Sequence, residues 1–153
     1  MKRTPLKRHK ALQPLSREHH HGLLLSWKIR SGFKKGIAPE RIKNYADWFY
    51  KNYLIPHFKT EEEHIFPVLG IDHKLVERAL EDHQELHLLF EQITDLSNVL
   101  HRIEQKLDDH IRFEERILFP EIQKTAGDEQ MNEIEKIHHA IPFKDNLHDE
   151  FWK

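Results

Sequence analysis

The chain has 153 residues, enough for one domain with a hydrophobic core. It contains no cysteine, which excludes disulfides, thiol nucleophiles and thiolate metal sites, so any bound metal must be held by nitrogen and oxygen. Lysine and arginine number 24 against 26 aspartate and glutamate, and the formal net charge of −2 gives no general attraction to nucleic acid or anionic lipid.

The N-terminal residues are basic and lack the apolar core of a signal peptide. No apolar run in the sequence approaches the length that spans a bilayer. We therefore expect a cytoplasmic protein with neither a membrane nor a nucleic-acid partner. Residues 1–14 form a basic, proline-punctuated arm that we expect to be extended.

Helical periodicity begins directly after this arm. Ser16 can cap a first helix that runs to about Phe33, and the glycine-containing stretch that follows ends it. The second predicted helix opens at Pro39, a residue type that suits a first helical turn. It runs to about Phe66 and stops before Pro67.

Two more long helices follow. Asp72 can cap the third, whose apolar face continues to Ile93, and the fourth covers about residues 99–124. We place the turn between them near Ser97 and Asn98, because these residues are the only stop signals in a long periodic stretch.

The C-terminal part is predicted to be a short helix over residues 128–139 and a tail that ends in Phe151 and Trp152. The tail is too apolar to remain free in water, so we expect it to pack on the bundle or on a partner, including a second copy of the chain. The predicted fold class is all-α, an up-down antiparallel four-helix bundle over residues 15–125, with the C-terminal helix and tail at 126–153.

One phrase occurs twice in this sequence. Residues 57–67 and 110–120 share the pattern His-x3-Glu-Glu-x3-Phe-Pro. Residues four apart lie on one face of a helix, so His57 with Glu61, and His110 with Glu114, each point an imidazole and a carboxylate at one place. Histidine and carboxylate together suit zinc, iron or manganese.

The other two helices also place histidines on their apolar faces. His83 and His87 lie four apart on the third helix, and on the first helix His19 lies nearest the apolar centre, with His20 as the alternative. The predicted metal ligands are His19 (or His20), His57, Glu61, His83, His87, His110 and Glu114. The candidates for supporting the site are Tyr50, Tyr53 and His64, of which His64 could also be an extra ligand.

The ordered set of REHHHGLL, HFKTEE, DHQELH and HIRFEE resembles the hemerythrin-like, or HHE cation-binding, domain over roughly residues 15–122. The resemblance implies a di-iron centre in which the histidines are terminal ligands, Glu61 and Glu114 bridge the irons, and an oxo or hydroxo group completes the bridge. In the oxygen-carrying members the last carboxylate is an aspartate five residues after its histidine, whereas Glu114 lies four after His110. Ligand chemistry alone leaves manganese and zinc open.

The predicted function is that of a non-haem di-iron protein that binds or senses O2 or a related small oxidant such as NO or peroxide. Two alternatives stay open. The first is a di-iron enzyme that turns over peroxide or oxidises ferrous iron. The second is a regulatory module whose iron occupancy alters a contact made through the C-terminal tail. The pattern favours a metal- and oxygen-binding protein over an enzyme, and it assigns no catalytic residue.

Overall fold

The computed structural model describes residues 7–137 and 142–153, and within these ranges it contains five helices and no strand. The helices are α1 (Gln13–Lys34), α2 (residues 39–68), α3 (Lys74–Glu91), α4 (residues 96–125) and α5 (Asp128–Ile137). The all-α prediction is confirmed, and α1 to α4 form the bundle. None of these five helices combines the length and the apolar character that crossing a bilayer requires.

The first helix begins earlier than predicted. It starts at Gln13, with Pro14 in its first turn, where a proline leaves no hydrogen bond unmade. Ser16 is therefore inside the helix, and its hydroxyl donates to the Glu115 carboxylate at 2.9 Å. The last two residues of the predicted extended arm are thus helical, and its first six lie outside the described residues.

The end of α1 is a Schellman motif, as the glycines indicated. The Ile37 N–H donates to the Gly32 carbonyl at 3.0 Å, and the Gly36 N–H donates to the Phe33 carbonyl at 3.1 Å. Gly36 has a φ of 70°, a conformation that is costly for residues with a Cβ. This turn reverses the chain and brings α2 back along α1.

Two of the bundle helices contain wider π-helical turns. In α2 these are Tyr50–Leu54 and Glu61–Ile65, set between the α-helical segments Pro39–Phe49 and Ile55–Thr60 and a 3₁₀ turn at Phe66–Val68. In α4 the turn Glu114–Leu118 separates Leu96–Phe113 from Phe119–Thr125. In each copy of the repeated phrase the π-helical turn therefore begins at the first glutamate, which is Glu61 in α2 and Glu114 in α4.

A proline follows each π-turn at the same spacing. Pro56, Pro67 and Pro120 each lie six residues after the first residue of a turn. A proline ring clashes with the carbonyl four residues before it and has no N–H to donate. The wider turn accommodates the ring, and the residue before the proline donates its N–H to the carbonyl five back, which in the repeat is that of Glu61 or Glu114. The Phe-Pro of the repeat thus accounts for the irregular turn at a predicted ligand.

The turn between α3 and α4 lies at residues 92–95, not near Ser97 and Asn98. Asp95 has a φ of 52°, a left-handed conformation that aspartate and asparagine tolerate better than most residues. Asn98 is already in α4, where its side-chain amide donates to the Asp95 carboxylate at 3.2 Å. Ile93, predicted to lie on an apolar face, is in the loop and is 86% exposed.

Two smaller boundaries also differ from the prediction or cannot be compared with it. The cap of α3 is His73 rather than Asp72, because the His73 Nδ1 accepts from the Leu75 N–H at 3.1 Å. The final helix was expected to reach His139, which lies outside the described residues.

The bundle interior consists of two apolar clusters with a polar layer between them. On α1 the layer falls between Leu15 of one cluster and Leu25 of the other, and on α3 between Ala79 and Leu86. On α2 and α4 it coincides with the His-x3-Glu pairs. Each of the four helices therefore contributes polar side chains at the same depth.

The C-terminal segment packs on the bundle. Phe151 and Trp152 are buried and join the apolar cluster that also contains Leu25. The Lys28 ammonium lies 4.0 Å from the centre of the Trp152 ring, a cation–π contact. The Ser31 hydroxyl donates to the Trp152 carbonyl at 3.3 Å. These contacts fix the last residues of the chain along α1.

Candidate metal centre

Six buried side chains from the four bundle helices converge in the polar layer. They form two groups that share both glutamates. We call His19 and His57 with the shared Glu61 and Glu114 the α1–α2 half-site, and His83 and His110 with the same two glutamates the α3–α4 half-site. Within each half-site the potential ligand atoms lie within 4.8 Å of one another. This arrangement could hold two metal ions side by side.

The two oxygens of Glu61 face opposite half-sites. Its Oε2 lies 3.3 Å from the Nε2 of His57, and its Oε1 lies 3.1 Å from the Nε2 of His83. The Oε1 of Glu114 lies 3.1 Å from the Nε2 of His19 and 2.9 Å from that of His110. Both carboxylates therefore stand between the half-sites, where ions bound in the two half-sites could share them.

Each of the four histidines is held by a second carboxylate behind it. The pairs are His19 with Glu115 at 2.6 Å, His57 with Glu18 at 2.9 Å, His83 with Glu62 at 2.7 Å and His110 with Asp82 at 2.9 Å, always through Nδ1. A carboxylate is an acceptor, so each Nδ1–H must donate. The proton on Nδ1 leaves Nε2 free as the metal-binding nitrogen and fixes the ring orientation.

These supporting carboxylates follow a two-fold sequence pattern. Glu18 and Asp82 directly precede His19 and His83, and each supports the repeat histidine of the next helix, His57 or His110 respectively. The second glutamate of each repeat supports a histidine of the other half-site, so that Glu62 supports His83 and Glu115 supports His19. Sequence analysis assigned none of these four carboxylates, and Glu18 and Asp82 were the two that a local pattern could have indicated. The acidic-His dipeptide that both helices carry is the signal that could have found them.

Most of the atoms that face the centre lack hydrogen-bond partners, and the exceptions are the His19 Nε2 and the Glu114 Oε1, which lie 3.1 Å apart. Among the described residues, buried side-chain atoms without one include the Nε2 of His57, His83 and His110, both oxygens of Glu61 and the Oε2 of Glu114. Such atoms are normally satisfied in folded proteins, because leaving them unpaired costs free energy. In a neutral imidazole with its proton on Nδ1, the Nε2 lone pair also faces an oxygen of Glu61 or Glu114, and the two repel each other. Metal cations between these donors would remove both costs, so the residues fit a pair of metal ions.

The metal-free cluster compensates its charge with protons. Burial alone would lower the pKa of His57, but the charge of Glu61 raises it to about 9. The pKa of His110 is raised to about 9 against the same effect of burial, chiefly by the charge of Glu114. Burial would raise the pKa of Glu61, yet the charge of His57 and the surrounding imidazoles hold it well below its usual range. A bound cation would take the place of these protons.

The structure places two of the predicted histidines outside both half-sites. His20 is exposed, whereas its alternative, His19, is buried in the α1–α2 half-site. His87 is half-buried, and its Nδ1 is hydrogen-bonded to the Tyr50 hydroxyl at 2.5 Å. The ring of Phe58 lies 5.4 Å from the His87 ring and stacks on His83 at 3.8 Å, which separates His87 from the polar layer.

The predicted supporting residues occupy three different environments. Tyr50 is buried beside His87, as described. Tyr53 is half-buried, and its hydroxyl donates to the Lys144 carbonyl at 3.2 Å. His64 is half-buried, and its Nε2 lies 3.7 Å from a carboxylate oxygen of its neighbour Glu63. None of the three belongs to either group of clustered ligands, although Tyr53 lines the cavity next to them.

A small cavity borders the polar layer. Four of the six clustered side chains line it, namely His19, His57, His110 and Glu114. The volume in which the centre of a water-sized sphere can lie is about 20 Å³. By this measure a single water needs about 10–15 Å³. The cavity therefore has room for one very small molecule next to the candidate ligands.

The cavity exists on one side because matching positions differ in size. Gly22 on α1 and Leu86 on α3 occupy matching positions, each three residues after a buried histidine. Ile111 on α4 and Phe58 on α2 also match, because each directly follows its repeat histidine. Phe58 stacks on His83, whereas a Cβ on Gly22 would lie 2.6 Å from the Ile111 Cδ1. The smaller pair leaves space on the side of the α1–α2 half-site.

Comparison with known proteins agrees with this geometry. Searches of curated proteins and of solved structures gave no significant match. The family model described as the hemerythrin HHE cation binding domain matches residues 7–98 and 91–142, which together contain all six clustered side chains. The chain therefore belongs to the hemerythrin HHE cation binding domain family.

Proposed function

We propose that this protein binds two iron ions and uses them to bind or sense O2 or a related small oxidant such as NO or peroxide. The observation that carries the proposal is the pair of half-sites that share Glu61 and Glu114. Two cations close together repel each other, and two shared carboxylates offset that repulsion. The four neutral imidazoles complete the donor set without adding negative charge.

The surrounding residues favour redox-active iron over a purely structural ion. A bound iron pair supplies the electrons and open positions that O2 chemistry needs. The chain supplies ligands whose orientation is fixed by hydrogen bonds, and a cavity that admits one small molecule beside His19 and His57. A structural metal site is normally closed on all sides and needs no such space.

A second candidate function is turnover of peroxide. It is favoured by the position of His87, because with His87 absent from the ligand set each ion would have two imidazoles and more positions open to exogenous molecules. Steady loss of peroxide in the presence of the iron-loaded protein would support this candidate. The control is the His57→Ala variant, which should be inactive if the cavity-side ion carries the reaction.

Metal content is the direct test of the proposed function. We expect aerobically purified, iron-supplemented protein to contain close to two irons per chain by elemental analysis and to absorb in the near ultraviolet. The exposed control variant His148→Ala should retain both ions. Zinc, a single metal or no metal after iron supplementation would refute the di-iron proposal.

Thermal unfolding of the same samples gives a second test. An ion that binds only the folded state stabilises it by about 2.7 kcal/mol at a hundredfold excess over Kd. For a chain of this size that corresponds to a melting temperature about 5–10 °C higher than without metal. An unchanged melting temperature after verified removal of the metal by a chelator would contradict the proposed site.

A further inference from the structure

The C-terminal segment contributes Phe143 to the lining of the cavity beside the α1–α2 half-site. Among the residues that line it, Glu18, His21, Tyr53 and Phe143 are partly exposed and the others are buried. These four side chains therefore mark its outer end. The ring of Phe143 stacks on that of His21 with centroids 4.0 Å apart and an interplanar angle of 17°.

Phe143 is held in this position from two sides. Its ring centroid lies 4.9 Å from that of Tyr53, and the next residue is tied to the same tyrosine, since the Lys144 N–H donates to the Tyr53 hydroxyl at 3.0 Å. One residue further, the Asp145 carboxylate accepts from the Lys28 ammonium at 2.7 Å. The stacked pair is thus anchored to both α1 and α2.

Between its outer end and the candidate ligands, the cavity has an apolar wall. Its buried wall contains Leu54, Leu107 and Ile111, which cannot hydrogen-bond a passing molecule. At the outer end the Nδ1 of His21 is buried, and it has no hydrogen-bond partner in the part of the chain that the structure describes. A small molecule is therefore compatible with this passage, and a bulky one is not.

We infer that Phe143, stacked on His21, sets the upper size of the molecule that can reach the metal pair. This inference rests on the proposed function, because it assigns a size limit to the ligand of the same site. Phe143 is then a specificity-determining residue that is supplied by the C-terminal tail, about thirty residues beyond the last ligand, Glu114.

The test compares two iron-binding molecules of different size on the iron-loaded protein. Azide and acetohydroxamate are mixed with wild type and with Phe143→Ala, and the association rates are followed by the absorption of the iron complexes. We expect acetohydroxamate to bind about tenfold faster to the variant, because a larger molecule must separate the stacked rings to enter the wild-type cavity. Breaking an aromatic contact of this kind slows a step by a factor of that order. Azide should be accelerated much less.

The matched control is Leu147→Ala. Leu147 belongs to the same tail and is exposed, and it does not line the cavity. Its replacement should leave both rates at the wild-type value. A ratio of the two rates that is the same in wild type and Phe143→Ala would overturn the inference, provided that both proteins bind azide.

Two further variants keep the test decisive if Phe143→Ala fails to fold. Phe143→Leu retains apolar packing with a smaller side chain and should give a weaker change of the same sign. Gly22→Ala places a methyl group 2.6 Å from the Ile111 Cδ1, which narrows the cavity, and should slow azide. A wild-type protein that holds no metal pair would instead overturn the proposed function, which separates the two failures.

Discussion

The two half-sites are nearly equivalent in their ligands and different in their surroundings. Each has two imidazoles, shares the same two glutamates and has every imidazole supported by a carboxylate. The cavity, however, borders both histidines of the α1–α2 half-site but only His110 of the α3–α4 half-site, where the stacked ring of Phe58 covers His83.

Holding the metal ions and admitting a small molecule to them therefore depend on different residues. The ligand sets determine whether a pair of cations can be held at all, and they do so symmetrically. The side chains beside the ligands determine which ion a small molecule can approach. Gly22 and Ile111, at the positions that correspond to Leu86 and Phe58, make the two sides differ without changing a ligand.

The largest expected effect comes from removing a ligand that both half-sites share. Glu61→Gln preserves the volume of the fully buried side chain but removes its negative charge. We expect the metal content to fall from about two ions per chain to nearly none, because neither half-site retains its charge balance. Elemental analysis of the purified variant measures this.

The matched control for that variant is Glu63→Gln, which changes an exposed glutamate two residues along the same helix. It should retain both ions. Retention of both ions by Glu61→Gln would mean that the two half-sites do not depend on a shared Glu61.

A smaller effect is expected from the supporting carboxylates. Glu18→Gln and Asp82→Asn each weaken the support of one repeat histidine, one in each half-site, and each should lower metal affinity by about 10–100-fold. Glu62→Gln should cost less, since its side chain is 39% exposed against 8% for Asp82, and water can accept from His83 in its place. Competition with a chromogenic chelator would give the three affinities. Unequal losses for Glu18→Gln and Asp82→Asn would argue against equivalent half-sites.

The smallest expected effect is a pH dependence of the metal-free protein. His57 and His110, one from each half-site, have a pKa of about 9 in the folded chain, above the ordinary value near 6.5. Protons that bind the folded state more tightly stabilise it fully below pH 6.5, and that stabilisation is lost as the pH rises through 9. The melting temperature of the chelated protein should therefore fall between pH 7 and pH 10.

Loading with metal should remove most of this fall, because the ions replace the protons. Melting curves of chelated and loaded protein at several pH values would show both trends. A melting temperature that rises with pH in the chelated sample would contradict the assigned protonation of the two histidines.

Much of the fold was predictable because its signals are local. The order of the helices followed from periodicity and from proline and glycine at their ends. The turn between α3 and α4 was misplaced because it contains neither residue, and the left-handed Asp95 has no unambiguous sequence signal. The π-turns were not predicted, although the proline six residues after each turn begins is visible in the sequence.

The sequence by itself determined which side chains could bind metal. A His and a Glu four residues apart share a helix face whatever the helix packs against, so the pairs His57 with Glu61 and His110 with Glu114 follow from backbone geometry alone. The same rule placed His83 and His87 on one face. It could not tell that His87 would hydrogen-bond to Tyr50 instead of joining the cluster.

Only the tertiary structure decided the contacts between helices. The support of each histidine by a carboxylate of another helix, the two faces of Glu61 and the cavity bordered by Phe143 all depend on how far each helix is rotated and how deeply its neighbours interdigitate. Spacing along one helix carries no information about those quantities, because they result from the packing of many side chains at once.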